Sequence, residues 1–212
     1  MWTNRGMGGV AHGRGRAAFW SSGAGTGILH VPSLVLTIVA VLVAPAGCGR
    51  PAAPPAVPAA PQLQRVDHEG LLQILAERRG RVVVLDCWST SCPPCVREFP
   101  GLVALEARYR GRVECMSLAF DFEGLGSVDE AAGRVEAFLR QVGAGRIVNL
   151  LATEEADVMY RKMELDSVPA VYVWRPDGSL ARRFDANDSA ARLGRPFTYE
   201  DVELEVRSLL GP

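Results

Sequence analysis

The feature that most restricts this chain is a continuous apolar run at residues 81–88, Val82-Val83-Val84-Leu85 leading into Asp86, Cys87 and Trp88, with Cys92 and Cys95 following after three small polar residues. Unbroken stretches of Val and Leu mark a strand buried on both faces of a sheet, which needs helices above and below it. Leu102, Leu105 and Tyr109 then recur at helical spacing, and Gly111 stops the pattern. The two thiols therefore stand where a central strand hands over to a helix, which points to an α/β fold.

The rest of the chain from Asp67 onward keeps alternating between helical and strand patterns. A helix is expected at residues 68–79, with Leu71, Leu72, Ile74 and Leu75 on one side and Gly80 as its stop. One helix is expected over 93–110, a strand over 113–120, a helix over 128–142, a strand over 147–151 and a helix over 154–163. Strands at 170–174 and 179–184 flank Pro176-Asp177-Gly178, a hairpin signal in which glycine supplies the positive φ. An amphipathic helix over 199–210 closes the chain. The folded domain is expected to span 65–212.

Two cysteines separated by two residues at a helix start suit thiol-disulfide exchange. Cys92 would lie at the N-terminus, where free amides and the helix dipole favour a thiolate, and Cys95, one turn in, would be the shielded resolving thiol. A zinc site would want four ligands, and no second cysteine pair or histidine lies within this domain apart from His68 on the first helix. Haem attachment would need a histidine directly after the second cysteine, where Val96 stands.

The segment from Val83 to Cys95 resembles the active-site strand and turn of thioredoxins. Its Cys-Pro-Pro-Cys form is particularly similar to the TlpA-like thiol-disulfide proteins of bacterial cell envelopes. Asp86 matches the buried aspartate of thioredoxins, Trp88 a tryptophan of that motif, and Pro100 a helix-kinking proline five residues after the second cysteine. Val168-Pro169 resembles the cis-proline dipeptide opposite the active site. Ser91 departs from the pattern, which usually has tryptophan before the first cysteine.

The resemblance implies a thioredoxin fold, a central mixed sheet flanked by helices, with a strand-helix insertion around residues 122–148. It implies catalysis by Cys92 and Cys95, with Asp86 accepting the Cys95 proton directly or through water, since an unpaired ionised carboxylate in such a strand would cost several kcal/mol. Substrate contacts are implied at Trp88, Pro93, Val168 and Pro169, although Trp88 is equally consistent with plain core. No cofactor or metal is implied. Cys87 alternates with Asp86 and should face the other side of the sheet; it and Cys115 are expected to be buried, unreactive thiols.

The first 48 residues read as a leader of signal or lipoprotein type. An apolar run at 34–46 is shorter than the roughly 20 residues of a membrane span, is preceded by arginines and is followed by small residues. Ala44-Pro45-Ala46 fits a signal-peptidase site, whereas Ala46-Gly47-Cys48 resembles the end of a bacterial lipoprotein box with Pro45 in an aliphatic position. A cysteine followed by a tether favours lipidation of Cys48; simple secretion and an uncleaved anchor remain alternatives. Residues 49–64 form the tether, with prolines at 51, 54, 55, 58 and 61. Extended as polyproline II at roughly 3.1 Å per residue, it would reach about 50 Å.

Residues 1–66 hold five of the 23 basic residues and no acidic ones, which leaves 18 against 24 and a net charge of −6 for the remainder. An acidic domain without basic-aromatic clusters excludes nucleic acid as a natural partner. The partners implied are thiols and disulfides of exported proteins, a membrane electron carrier and the membrane itself through the N-terminal tether. A Cu(I)-binding or delivery module on the same two sulfurs is the alternative, because soft copper accepts thiolates. Copper carriers of this fold add a histidine and a wider cysteine spacing, and this chain has neither. A peroxidase would need threonine where Ser89 stands.

The two prolines also bear on redox poise. Pro93 and Pro94 have no N–H to donate and no imidazole lies between the cysteines, so the Cys92 pKa should sit nearer the ~7 of thioredoxin than the ~3.5 of strong oxidants. The expected direction is reduction.

Overall fold

The computed structural model describes residues 60–211, with the leader and Cys48 outside the described residues. All seven residues of β2, Val82–Trp88, are buried. This strand lies inside a six-stranded sheet. It pairs in parallel with β3, Val113–Ala119, and antiparallel with β5, Ala170–Trp174. Beyond β3 lie β4, Val148–Ala152, and the edge strand β1, Leu63–Val66, both parallel. The edge strand β6, Leu180–Phe184, pairs antiparallel with β5. The sheet is therefore mixed, in the order β1-β4-β3-β2-β5-β6.

Helices cover both faces. On one, α1 (His68–Ala76) and α5 (Ala156–Met163) pack Leu71, Ile74 and Met159 against Leu85, Cys87, Met116 and Leu118. On the other lie α2 (Pro93–Glu98), α3 (Pro100–Tyr109), α4 (Val128–Val142) and α7 (Tyr199–Leu210). Their Phe99, Leu102, Leu105, Val135, Leu139, Val202 and Val206 enclose Val84 and Trp88. Alternation along β2 thus sends Val84, Asp86 and Trp88 to the α2 side and Val83, Leu85 and Cys87 to the other.

Local chemistry sets the helix boundaries. Asp67 caps α1 by accepting from the Gly70 amide at 2.8 Å. Ser127 and Glu130 form a reciprocal capping box at the start of α4, and Gly143 ends that helix in the left-handed conformation. The single helix expected over 93–110 is two helices. Phe99 ends α2 and begins α3, and Pro100, lacking an N–H, cannot continue the hydrogen-bond ladder across the junction.

Other differences have equally local causes. Leu63 and Gln64, read from sequence as linker, form half of β1, recruited by β4 in spite of the polar Gln64-Arg65 pair. The region 122–148 carries α4 and leads into β4, which inserts between β3 and β1. After β6 the chain makes a short helix, α6 (Ala186–Asp188), and a π-type turn over Ser189–Leu193, neither of which has an amphipathic pattern long enough to read. Among the described residues no helix is long and apolar enough to cross a membrane.

Candidate functional site

Cys92 is the N-cap of α2 and Cys95 lies one turn inside it, and the two are joined in a disulfide with Cα atoms 5.3 Å apart. Cys92 is half-buried, whereas Cys95 is 2% exposed. An incoming sulfur can therefore reach the first cysteine and not the second. Pro93 and Pro94 occupy the first two helical positions, so the nearest amide aimed at Cys92 Sγ is that of Cys95, at 3.3 Å. The sulfur also lies 3.8 Å from the carbonyl oxygen of Val168, and the Val168–Pro169 bond is cis. The chain between β2 and α2 thus faces the loop before β5 across the sulfurs.

A redox disulfide at the first turn of a broken helix, following the central parallel strand of a mixed sheet, decides the architecture. This is a thioredoxin-fold redox dithiol site. No protein-family model matches the chain, and no curated protein matches it. Among solved structures it is similar to a secreted Mycobacterium tuberculosis disulfide oxidoreductase described as homologous to E. coli DsbE, with 19% identity over 63% of this chain and 86% of that one and a TM-score of 0.48. It is also similar to a thioredoxin-family thiol:disulfide interchange protein from Chlorobium tepidum TLS, at 18% identity over 64% and 84% with a TM-score of 0.46. StoA from Bacillus subtilis is similar at 15% identity over 72% and 100%, with a TM-score of 0.43.

Behind the thioredoxin-fold disulfide, Asp86 is 3% exposed on the α2 side of β2. Burial pushes its pKa from the ordinary 3.8 up to about 7; a hydrogen bond from Tyr199 opposes the rise and the charge of Glu98 adds to it. A carboxyl with this value can take a proton from a thiol and return it near neutrality. Tyr199 Oη donates to Asp86 Oδ2 at 2.5 Å. Sequence reading missed this tyrosine, which was visible only as an aromatic on an amphipathic helix.

A second buried acid holds the approach to Cys92. Asp121, 5% exposed just beyond β3, accepts from the Thr90 amide with its two oxygens at 3.2 and 3.1 Å and also from the Thr90 hydroxyl. Arg134 of α4 donates to the Asp121 carbonyl at 3.0 Å, which ties the insertion to this loop. Burial raises the Asp121 pKa, with the Thr90 contacts and Arg134 opposing. A carboxylate at the exit of β3 carries no sequence signal beyond its proximity to a strand end.

Trp88, for which substrate contact and plain core were both expected, lies in the core. It is 0% exposed, with its ring centroid 4.7 Å from that of Phe99 and 4.8 Å from that of Phe138, so aromatic side chains of the α2–α3 junction and α4 close it off. Pro93 is exposed and Val168 and Pro169 are half-buried beside the disulfide. Next to them a groove runs between α2 and the 186–198 segment, lined by Pro94, Arg97, Val168, Pro169, Ala190 and Phe197.

Cys87 and Cys115 are free, buried thiols. Burial pushes the Cys115 pKa up to about 12, and burial followed by the Asp86 charge raises that of Cys87 well above the ordinary thiol value. Among the described residues no group of three or more His, Cys, Asp or Glu side chains is placed to hold a metal ion.

Proposed function

We propose that this domain reduces disulfides of exported proteins, working from a membrane-tethered position outside the cytoplasm. The observation that carries the chemistry is the pairing of an accessible Cys92 with a shielded Cys95 in one disulfide at a helix start. In the reduced enzyme the Cys92 thiolate attacks a substrate disulfide; the substrate S–S bond breaks and one substrate sulfur leaves as a thiolate and is protonated. Cys95 then gives its proton to Asp86, its sulfur attacks Cys92, and the mixed disulfide breaks with the electron pair on the second substrate sulfur, which takes up a proton. Two enzyme thiols and one substrate disulfide become one enzyme disulfide and two substrate thiols.

The paired prolines support the reductive direction. With Pro93 and Pro94 unable to donate, the Cys92 thiolate is stabilised chiefly by the Cys95 amide and the helix dipole. Equilibration against glutathione or dithiothreitol buffers tests this, with a potential near the roughly −270 mV of thioredoxin expected. A value near the roughly −120 mV of a strong oxidant overturns the reductive reading and leaves disulfide donation.

An enzyme that ends each cycle oxidised needs electrons, and a membrane electron carrier is the proposed source. Export and tethering are supported by the leader pattern and the Pro/Ala segment, with Cys48 as the lipidation site. Labelled fatty acid incorporated into the full chain and lost on Cys48→Ser is the expected result; unchanged incorporation overturns the assignment to Cys48. The solved structures that resemble the chain include one described as secreted, in keeping with this location.

A further inference from the structure

The helix α7 is fixed at its start by several side-chain contacts. Thr198 and Asp201 form a reciprocal capping box, and Arg195 grips both Asp201 oxygens at 2.8 Å. The residue so placed is Tyr199. Its ring is buried against Gly101 in α3, where an added methyl group would overlap the ring. Its hydroxyl reaches Asp86 on β2, 113 residues away in sequence. One buried hydrogen bond thus joins the central strand to α7, with α3 packed on the tyrosine ring.

That bond is the sole hydrogen bond to the Asp86 carboxyl among the described residues, and it uses Oδ2 alone. Opposite Asp86 in the ladders stand Ser117 of β3 and Val171 of β5, and Glu98 of α2 is the nearby charge. Cys87, the next residue on β2, feels the Asp86 charge, and Cys115 and Cys87 act on Tyr199. Tyr199 keeps its proton, since burial and the Asp86 charge push its pKa well above the ordinary phenol value. It is a fixed donor.

We propose that Tyr199 is a positioning residue for disulfide exchange, holding Asp86 by Oδ2 so that Oδ1 is left to take the Cys95 proton when Cys95 attacks the mixed disulfide. The proposal rests on the reading of Asp86 as proton acceptor. Donation to a carboxylate favours its charged form, so the hydroxyl counters the burial that would otherwise leave Asp86 protonated and unable to act as a base at neutral pH.

Tyr199→Phe keeps the ring on Gly101 and removes only the hydroxyl. The test follows the rate of mixed-disulfide resolution against pH in the wild type, Tyr199→Phe, Asp86→Asn and the double variant. In parallel, the carboxylic acid C=O infrared band of Asp86, identified by its loss in Asp86→Asn, is titrated in the oxidised protein. Tyr199→Phe is expected to move both midpoints up by about one pH unit, with little change in the rate at high pH, and to have no effect on an Asp86→Asn background. Fluorotyrosine, a stronger donor in the same packing, should move both midpoints down. If Asp86→Asn slows resolution while neither Tyr199 change moves a midpoint, the inference fails and the role of Asp86 stands. If Asp86→Asn leaves resolution unchanged, the role of Asp86 fails and takes the inference with it. A Tyr199→Phe shift that persists without Asp86 also overturns the inference, because the hydroxyl would then act elsewhere.

Discussion

Gly101 lies directly beneath the ring of Tyr199, close enough that a Cβ at Gly101 would overlap the ring carbons. In an ordinary helix, replacing glycine by alanine stabilises by roughly 0.5–1 kcal/mol. Here the sign should reverse, because the ring cannot withdraw without breaking its bond to Asp86. Gly101→Ala is expected to destabilise by about 1–3 kcal/mol, the usual cost of overpacking, as read by denaturant unfolding. A gain in stability would show that α7 shifts without cost.

Asp86 sets a second expectation, about stability and pH. Its pKa is about 7 in the folded state and near 3.8 when exposed, so between these values the folded state holds a proton that the unfolded chain has released. The stability this contributes is fully present below about 4 and is lost as pH rises through 7. At 1.36 kcal/mol per pH unit the upper bound is about 4 kcal/mol. Asp86→Asn, which cannot ionise, should therefore be more stable than the wild type at pH 8 by up to that amount and show little difference at pH 4. Thermal unfolding at the two pH values measures it, and an equal effect at both would contradict the assigned protonation.

The clamp of Asp121 on Thr90 predicts a loop defect. Asp121→Ala leaves the Thr90 amide and hydroxyl without their partner, at a cost of roughly 1–3 kcal/mol. Faster hydrogen exchange at Thr90 and several-fold slower attack by Cys92 are expected. Unaltered exchange at Thr90 would mean that the loop is held by its other contacts, such as the Ser89–Ser91 hydroxyl pair.

Thiol labelling separates the four cysteines of the domain. In the reduced protein at neutral pH, iodoacetamide should modify Cys92 first, while Cys87 and Cys115 stay unmodified until denaturant is added, since burial raises both pKa values and blocks access. Peptide mapping reads the order, and early labelling of Cys115 would sink the assignment of Cys92 as nucleophile.

Much of this protein follows from short-range patterns. The Val-Val-Val-Leu run specifies a buried central strand because only burial on both faces tolerates it. The two-residue gap puts Cys92 at the cap and Cys95 inside because a helix turn is that long. Alternation alone separates Asp86 from Cys87. What tertiary structure decided are the partners of these groups. The four-residue β1 exists because β4 offers it an edge. Trp88 is core because Phe99, at the α2–α3 junction, and Phe138 of α4 close over it. The proton balance of Asp86 depends on a tyrosine 113 residues away. Periodicity and caps act over a few neighbouring residues and so are legible in sequence, whereas the environment of a buried polar group is assembled from segments that meet only when the chain folds.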